Sequence, residues 1–514
     1  MKYIIMDVKN SILIFKCLGF IFLLSAVTFE KAEGQKRNAI WCFGDSAGID
    51  FNIPNSPVVF ASGMDGNGSC ASIADSNGNL LFYANFDYLG NTRIWNSTHS
   101  PIVNSNTLVG NGYFQGLVIV PVPDNDSLYY VFVLYLGDGI YYHLINIKYN
   151  SGQGIVLQNN LILTSQRVGD CLTAVKHGNG RDWWLIYKRS FQGVQNSQNR
   201  FYKRLITPFG IGQPDSTDFA DATDADNQKI IWHPSFNKFM LQNVGGYMKE
   251  FSFDRCTGAL DTIRTIYQEQ SGFYNRFFLQ GEYSSSGNVF YNSSVKFGTV
   301  QFGYLLQFNL NDSFPSLSVD TLGAYPFPPY AIGGLKRGPD NKIYFATQYS
   351  SPFPISSYPY PDSMRNVINS NLSVINSPDS IGISCDYQEF SFSLGGKRTY
   401  GGLPNNPEYD LGPLVGSGCD TLTTSIQTVS SEQSFFQVWY SGNWNELIIN
   451  AKRIKGKQAY LRIFDSTGRL ITERNERIVD GYLTATINLP NLSSGVYVVQ
   501  MYTESEKYSS KFIK

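Results

Sequence analysis

The sequence predicts an all-β chain in which a β-propeller, seven blades favoured and six the alternative, precedes a small C-terminal β-sandwich. Three observations carry this. Aromatic residues make up 15% of the 514 residues, led by 36 Phe and 33 Tyr, while charged residues reach only 16%; such rings suit half-buried pleated surfaces better than helices. A turn signal followed at once by an aromatic run recurs along the middle of the chain. Near residue 421 the pattern changes to a Ser/Thr/Gln-rich stretch and then to short, closely spaced strands. The length exceeds what a single core usually serves, so two folding units are expected after an N-terminal segment.

That segment, residues 1–34, has the order of a secretory signal: Lys2, Lys9 and Lys16, the apolar run Leu18 to Val27, then polar residues. The run is short for a bilayer span, and no other stretch is a transmembrane candidate. Cleavage is expected after Ala32-Glu33-Gly34, leaving Gln35 first. Cys17 lacks a lipoprotein setting, because Lys16 precedes it and the apolar core follows it. Removal of the segment leaves Cys42, Cys70, Cys171, Cys256, Cys385 and Cys419 in an oxidising compartment. These fit either disulfides of undetermined connectivity or buried thiols, and they are spread too widely for C-x2-C metal ligands. A formal charge of -1 with no concentrated basic face excludes nucleic acid as a partner and gives no case for an anionic membrane.

The body, 35–420, repeats. Ser76-Asn77-Gly78-Asn79 precedes Leu80-Leu81-Phe82-Tyr83, Pro123-Asp124-Asn125-Asp126 precedes Tyr129-Tyr130-Val131-Phe132, and Gly178-Asn179-Gly180 precedes Trp183-Trp184-Leu185-Ile186-Tyr187. The series continues with His233-Pro234-Ser235-Phe236-Asn237, Ser285-Ser286-Gly287-Asn288 and Gly338-Pro339-Asp340-Asn341, each before another apolar run. Asn, Asp and Gly supply the positive φ of tight hairpins. The spacing, roughly 50 residues, is that of a four-stranded propeller blade. A seventh blade is expected from Ile381 to Leu394, completed by the N-terminal strand around Ala39 to Phe43, so that Trp41 lies beside Phe390 and Phe392 and the ring closes without free edges.

Further strings carry a resemblance. They are Trp41-Cys42-Phe43-Gly44, Gly48-Ile49-Asp50-Phe51, Cys70-Ala71-Ser72-Ile73-Ala74-Asp75, Thr173-Ala174-Val175-Lys176-His177-Gly178, Phe253-Asp254-Arg255-Cys256-Thr257-Gly258 and Gly402-Leu403-Pro404-Asn405. With them the body resembles a family of secreted propeller proteins that accompany type IX sorting or gliding-motility C-terminal domains. The resemblance implies a fold and an address, and no catalytic residues.

After a polar linker, 421–434, residues 435–514 form a separate module. Leu447-Ile448-Ile449, Ala459 to Phe464, Thr484 to Leu489 and Val496 to Tyr502 are expected strands, with a hairpin turn at Asp465-Ser466-Thr467-Gly468-Arg469 and a tight entry at Ser493-Ser494-Gly495. On Leu461, Ile463, Asp465, Gly468 and Arg469, then Leu489, Leu492, Gly495, Val496 and Tyr497, and the basic end with Lys511 and Lys514, the module resembles the type A sorting domain of the type IX (Por) secretion system. The resemblance implies recognition by that machinery and delivery through the periplasm to the outer surface or the medium. Ser441-Gly442-Asn443-Trp444 stands where that family usually carries Pro-Asn-Pro.

Chemistry is sparse. His99, His143, His177 and His233 have no metal-ligand spacing, and Glu250, Glu269, Glu282, Glu389 and Glu408 form no pair that the sequence alone assigns. Neither a G-x-S-x-G elbow nor a phosphate loop is present. No catalytic or cofactor-binding residue is therefore assigned. Asp221, Asp224 and Asp226, beside Asp218, are the one candidate metal site, for calcium, in a loop that lacks the EF-hand glycine and closing glutamate. Asp-Ser or Asp-Thr before an apolar residue recurs, as at Asp126-Ser127-Leu128 and Asp320-Thr321-Leu322; it resembles an O-glycosylation acceptor and is equally an ordinary turn former. Two functions follow as expectations. One is a binding or adhesion module that holds a glycan or a surface protein at the propeller mouth; the other is a secreted hydrolase or lyase with acidic residues in the channel.

Overall fold

The structure is a computed structural model that describes residues 36–190, 199–219, 227–268, 276–296, 301–327, 330–349, 365–420, 435–441, 445–479, 481–490 and 492–514. The expected secretory segment 1–34, the expected linker 421–434 and the calcium candidates Asp221, Asp224 and Asp226 lie outside these residues. The chain divides into two compact units, Met1–Thr421 and Leu422–Lys514.

The first unit is a ring of antiparallel sheets taken in chain order. The first sheet joins β1 (Ile40–Phe43), β2 (Asp45–Asp50) and the opening half of β3 (Val58–Ala74). From Gly66 onward β3 pairs instead with β4 (Leu80–Asp87), which continues to β5 (Asn91–Asn96) and β6 (Leu108–Val109). One 17-residue strand therefore serves two sheets. Next come β7 (Leu117–Pro121) to β10 (Ile155–Thr164) through β8 (Leu128–Tyr135) and β9 (Gly139–Asn146). Then β11 (Thr173–Lys176), β12 (Trp183–Lys188) and β13 (Asn199–Thr207) pair in order, with β14 (Gly210–Ile211) and β15 (Asp215–Phe219) both on β13. Three four-stranded sheets follow. The first runs from β16 (Gln228–Trp232) through β17 (Lys238–Asn243) and β18 (Tyr247–Phe253) to β19 (Leu260–Gln268). The second runs from β20 (Arg276–Tyr283) through β21 (Val289–Lys296) and β22 (Gln301–Asn309) to β23 (Val319–Phe327), and the third from β24 (Tyr330–Arg337) through β25 (Ile343–Tyr349) and β26 (Asn371–Ile375) to β27 (Tyr387–Ser393).

Counting the two halves of β3 separately, the described residues form seven blades of a propeller, the first of them three-stranded. The first strands lie innermost and touch their neighbours, β3 on β7, β7 on β11, β16 on β20 and β20 on β24. The sequence explains the layering. Second strands are buried on both faces, as in Leu128-Tyr129-Tyr130-Val131-Phe132-Val133-Leu134 and throughout Trp183–Lys188, because they sit between adjacent blades. The outer β19 keeps alternate residues exposed. All six turn signals occupy the same place, the hairpin from the innermost strand to the second. Gly78, at φ +90°, is one such position, and Asp75 caps that turn by accepting from the Asn77 and Asn79 amides.

Closure differs from the expected pairing. Tyr387–Ser393 is the fourth strand of the last full blade and pairs with β26, while β1 pairs with β2. The reason is β3, whose length lets the N-terminal sheet form without a strand from the chain's end. The seam is sealed by packing: Trp41, Phe43, Tyr344, Leu372 and Leu394 share one core on which Phe392 rests. The Arg398 guanidinium pairs with Asp45 at 2.6 Å across it.

His143 of β9 is buried, with Nδ1 accepting from the Asn160 amide at 3.0 Å. Burial lowers its pKa to about 4. A depressed histidine contributes stability above its unfolded value that is lost as pH falls through the folded one. Between roughly pH 6.5 and 4 the body is expected to lose about 3 kcal/mol through this residue. Urea melts at pH 7 and pH 4 check it: His143→Leu should flatten the slope, and an unchanged slope refutes the assignment.

In the second unit, β28 (Phe435–Ser441), β29 (Glu446–Lys452) and β32 (Tyr482–Asn488) form one sheet; β31 (Leu470–Arg477), β30 (Gln458–Asp465), β33 (Val496–Tyr502) and β34 (Lys507–Ile513) form the other. Burial alternates strictly along β29 and β32, as a period of two dictates for one-faced sheets. Leu447, Ile449, Leu461, Ile463, Val499 and Met501 from both sheets meet in a single core.

Candidate functional site in the channel

The last residues of the body run through the channel as a strap. Gly401 O accepts from the Gly334 amide, and a Cβ on Gly402 would stand 1.8 Å from the Gly68 carbonyl oxygen, so only glycine passes there. Asn405 is the hub. Its amide donates to Cys70 O at 2.8 Å, and its Nδ2 donates to Leu117 O at 2.8 Å and Leu172 O at 3.0 Å. Asn406 Oδ1 accepts from the Ser72 amide, and Tyr409 OH donates to Ile119 O. The strap thus satisfies polar groups of three innermost strands and their approaches. Its far end pairs with the chain's start, Asp410 with Arg37 at 2.8 Å.

Beyond it, residues 411–420 dock on the β11–β12 and β18–β19 turns. Arg255 Nη2 donates to Gly412 O at 2.7 Å, Leu414 N to Gly178 O at 2.8 Å, and a disulfide joins Cys256 to Cys419. Arg255 Nε also donates to Lys176 O, and His177 Nε2 lies 2.9 Å from Cys256 O. The strings around Cys70, His177, Arg255 and Gly402 therefore converge on one job, seating the strap. Cys42, Cys70, Cys171 and Cys385 are buried free thiols, so the cysteines divide between the two expected fates.

Asn405→Ala would strand the Leu117 and Leu172 carbonyls, both on buried residues. A loss of about 2–4 kcal/mol is expected from unsatisfied buried acceptors. Equilibrium denaturation measures it, and a change under 1 kcal/mol, on the order of a surface substitution, contradicts the hub role.

Between the strap and the inner-strand turns lies a cavity of about 890 Å³. Trp41, Phe51, Trp232 and Phe236 contribute aromatic walls, and Asn38, Glu282, Lys336 and Glu408 contribute polar groups. The Lys336 ammonium lies 5.8 Å from the centre of the Trp41 ring. Burial lowers its pKa, opposed by the nearby Glu282 and Glu408 carboxylates. Burial pushes the Glu408 carboxyl up, against the Asp410 amide and Asn38 carboxamide that donate to it. Glu282 accepts from the Tyr283 amide at 3.0 Å and the Arg337 amide at 3.1 Å.

Sequence reasoning named Glu282 and Glu408 without pairing them and passed over Lys336. The available signal was position: Glu282 and Lys336 each sit just before an inner-strand turn. His99, His143, His177 and His233 do not line the cavity. Asp218 stands on β15 in a pair with Arg200 at 2.5 Å, and among the described residues no cluster of His, Cys, Asp or Glu is placed to hold a metal.

The residues singled out in the C-terminal unit are turn and edge fixers. Asp465 Oδ1 accepts from the Thr467 and Arg469 amides, with Gly468 at φ +84° between them. Tyr497 OH donates to Ser493 O at 2.7 Å, Gly495 and Lys514 exchange backbone hydrogen bonds, Lys511 pairs opposite Val498, and Lys514 Nζ donates to Leu492 O.

Residues 444–514 match the family of secretion system C-terminal sorting domains. The chain thus carries a type IX sorting domain, which marks a protein secreted or delivered to the outer surface by that system. No curated protein matches by sequence. Among solved structures, the Dos1 propeller aligns at 12% identity over 61% of this chain and 90% of that one, with a TM-score of 0.34. The Cps50 (Swd1) β-propeller domain of Myceliophteria thermophila aligns at 8% identity over 61% and 95%, with a TM-score of 0.36. A quinonprotein alcohol dehydrogenase-like protein of Bacteroides thetaiotaomicron aligns at 14% over 67% and 73%, with a TM-score of 0.34.

Proposed function

We propose that this chain, exported through its C-terminal sorting domain, is a non-enzymatic binding or adhesion protein whose propeller body receives its ligand in the channel cavity. What supports this is the strap. The cavity floor is built from the chain's own backbone, and the carboxylates beside it are engaged in holding that floor: Asp410 by Arg37, Glu408 by Asn38 and the Asp410 amide. A preformed pocket with aromatic walls and fixed polar groups is what a binding site requires. Hydrolysis instead needs a carboxylate pair free to exchange a proton and to face one bond.

The alternative, a hydrolase or lyase, has one observation in its favour, that Glu282, Glu408 and Lys336 share the cavity. Assays of the purified protein on polysaccharide, peptide and ester substrates separate the two. No turnover is expected. Hydrolysis that disappears in Glu408→Gln or Glu282→Gln makes the enzyme reading the correct one.

A further inference from the structure

We infer that the ligand of the channel cavity is a neutral saccharide. The inference rests on the binding function proposed above and names its ligand class. Two polar atoms of cavity residues, the indole Nε1 of Trp41 and the carboxamide Oδ1 of Asn38, are buried with no hydrogen-bond partner among the described residues, and the Lys336 ammonium lies over the Trp41 ring with the Glu282 and Glu408 carboxylates nearby. Trp41 is fully buried and its ring faces Lys336. The Glu282 and Glu408 oxygens, although each carboxylate accepts from protein donors, retain further lone pairs.

Residues carrying donors and residues carrying acceptors therefore line one cavity. An ammonium and an indole N–H require acceptors, while the carboxamide oxygen and two carboxylates require donors. A hydroxyl meets both needs at once, and a sugar ring presents several of them around an apolar C–H face that packs on Trp232 or Phe236, which line the cavity. Charge disfavours ligands that carry a net charge. An acidic ligand attracted to Lys336 meets Glu282 and Glu408, and a cationic one attracted to those carboxylates meets Lys336 and Arg337; in a pocket of reduced dielectric, like charges at close range are costly. The mixed lining favours a ligand without net charge. The cavity, about 890 Å³, falls within the range of small-ligand pockets, which suits a short stretch of a glycan rather than a folded domain.

Isothermal titration calorimetry of the chain without its secretory segment, against hexamers of glucose, mannose, xylose, galacturonate and glucosamine, tests this. At least one neutral hexamer is expected to bind, with affinity falling about tenfold or more in Lys336→Met and in Glu408→Gln. Thermal melts confirm that both variants fold, and Trp41 is avoided because it belongs to the seam core. Tighter binding of the galacturonate or glucosamine hexamer than of every neutral one overturns the class, as does neutral binding indifferent to both variants. Adhesion to bacterial surfaces that is lost in Lys336→Met while no hexamer binds refutes the saccharide and leaves the binding function standing. Turnover of a neutral hexamer does the reverse.

Discussion

A chain lacking Glu432–Lys514 is expected to fold its propeller and remain in the periplasm, with surface display falling from most of the protein to background. The body's contacts close within residues up to 421, and the C-terminal unit has its own core of Leu447, Ile449, Leu461 and Val499. The Cys256–Cys419 disulfide, wholly within the body, pins the body's end near residue 420. Cell fractionation with surface proteolysis reads the outcome. Normal delivery of the truncated chain contradicts the sorting role of residues 444–514, and an unfolded body contradicts the independence of the two units.

The largest stability effect is expected at Asp170. Its carboxylate is fully buried, accepts from the Phe114 and Gln115 amides at 2.8 and 3.1 Å, and pairs with the equally buried Lys229 at 2.5 Å. The three elements it ties together are the entry to β7, the turn before β11 and β16. Removing one member of a buried pair leaves the other charge uncompensated, at a cost of about 3–5 kcal/mol, whereas replacing both by apolar groups is often neutral. Asp170→Ala should therefore fall in that range by denaturant unfolding, and Asp170→Leu with Lys229→Met should recover much of the loss. Equal stability of Asp170→Ala and the native chain refutes the clamp.

Much of this architecture is legible in the sequence, for a physical reason. Each blade needs one tight hairpin beside the channel and one doubly buried strand after it, and both leave local marks: Asn77-Gly78 before Leu80–Asp87, Asn341 before Ile343–Tyr349. The seam was not legible, because it depends on β3 bending from one sheet to the next, and nothing local distinguishes a 17-residue strand shared by two sheets from two strands with a turn. The cavity was hidden for a related reason. Lys336, Glu282 and Glu408 come from two inner strands and the strap, and only ring closure brings them together. Cys256 and Cys419 are separated by 163 residues, so their pairing too follows from the path of the strap rather than from any spacing.

The strap also fixes when the pocket comes into existence. Asn405 reaches acceptors 288 and 233 residues earlier in the chain, and contacts that close such long loops carry the largest entropic cost and form late. The blades have local hairpins and can assemble in sequence, but the floor of the cavity is laid only after the final blade is complete and the chain turns back across all of them. A partly folded body has strands and no cavity floor. Completion of the cavity is thereby coupled to completed folding, and a chain interrupted before Gly401 would lack the cavity floor however well its blades had formed.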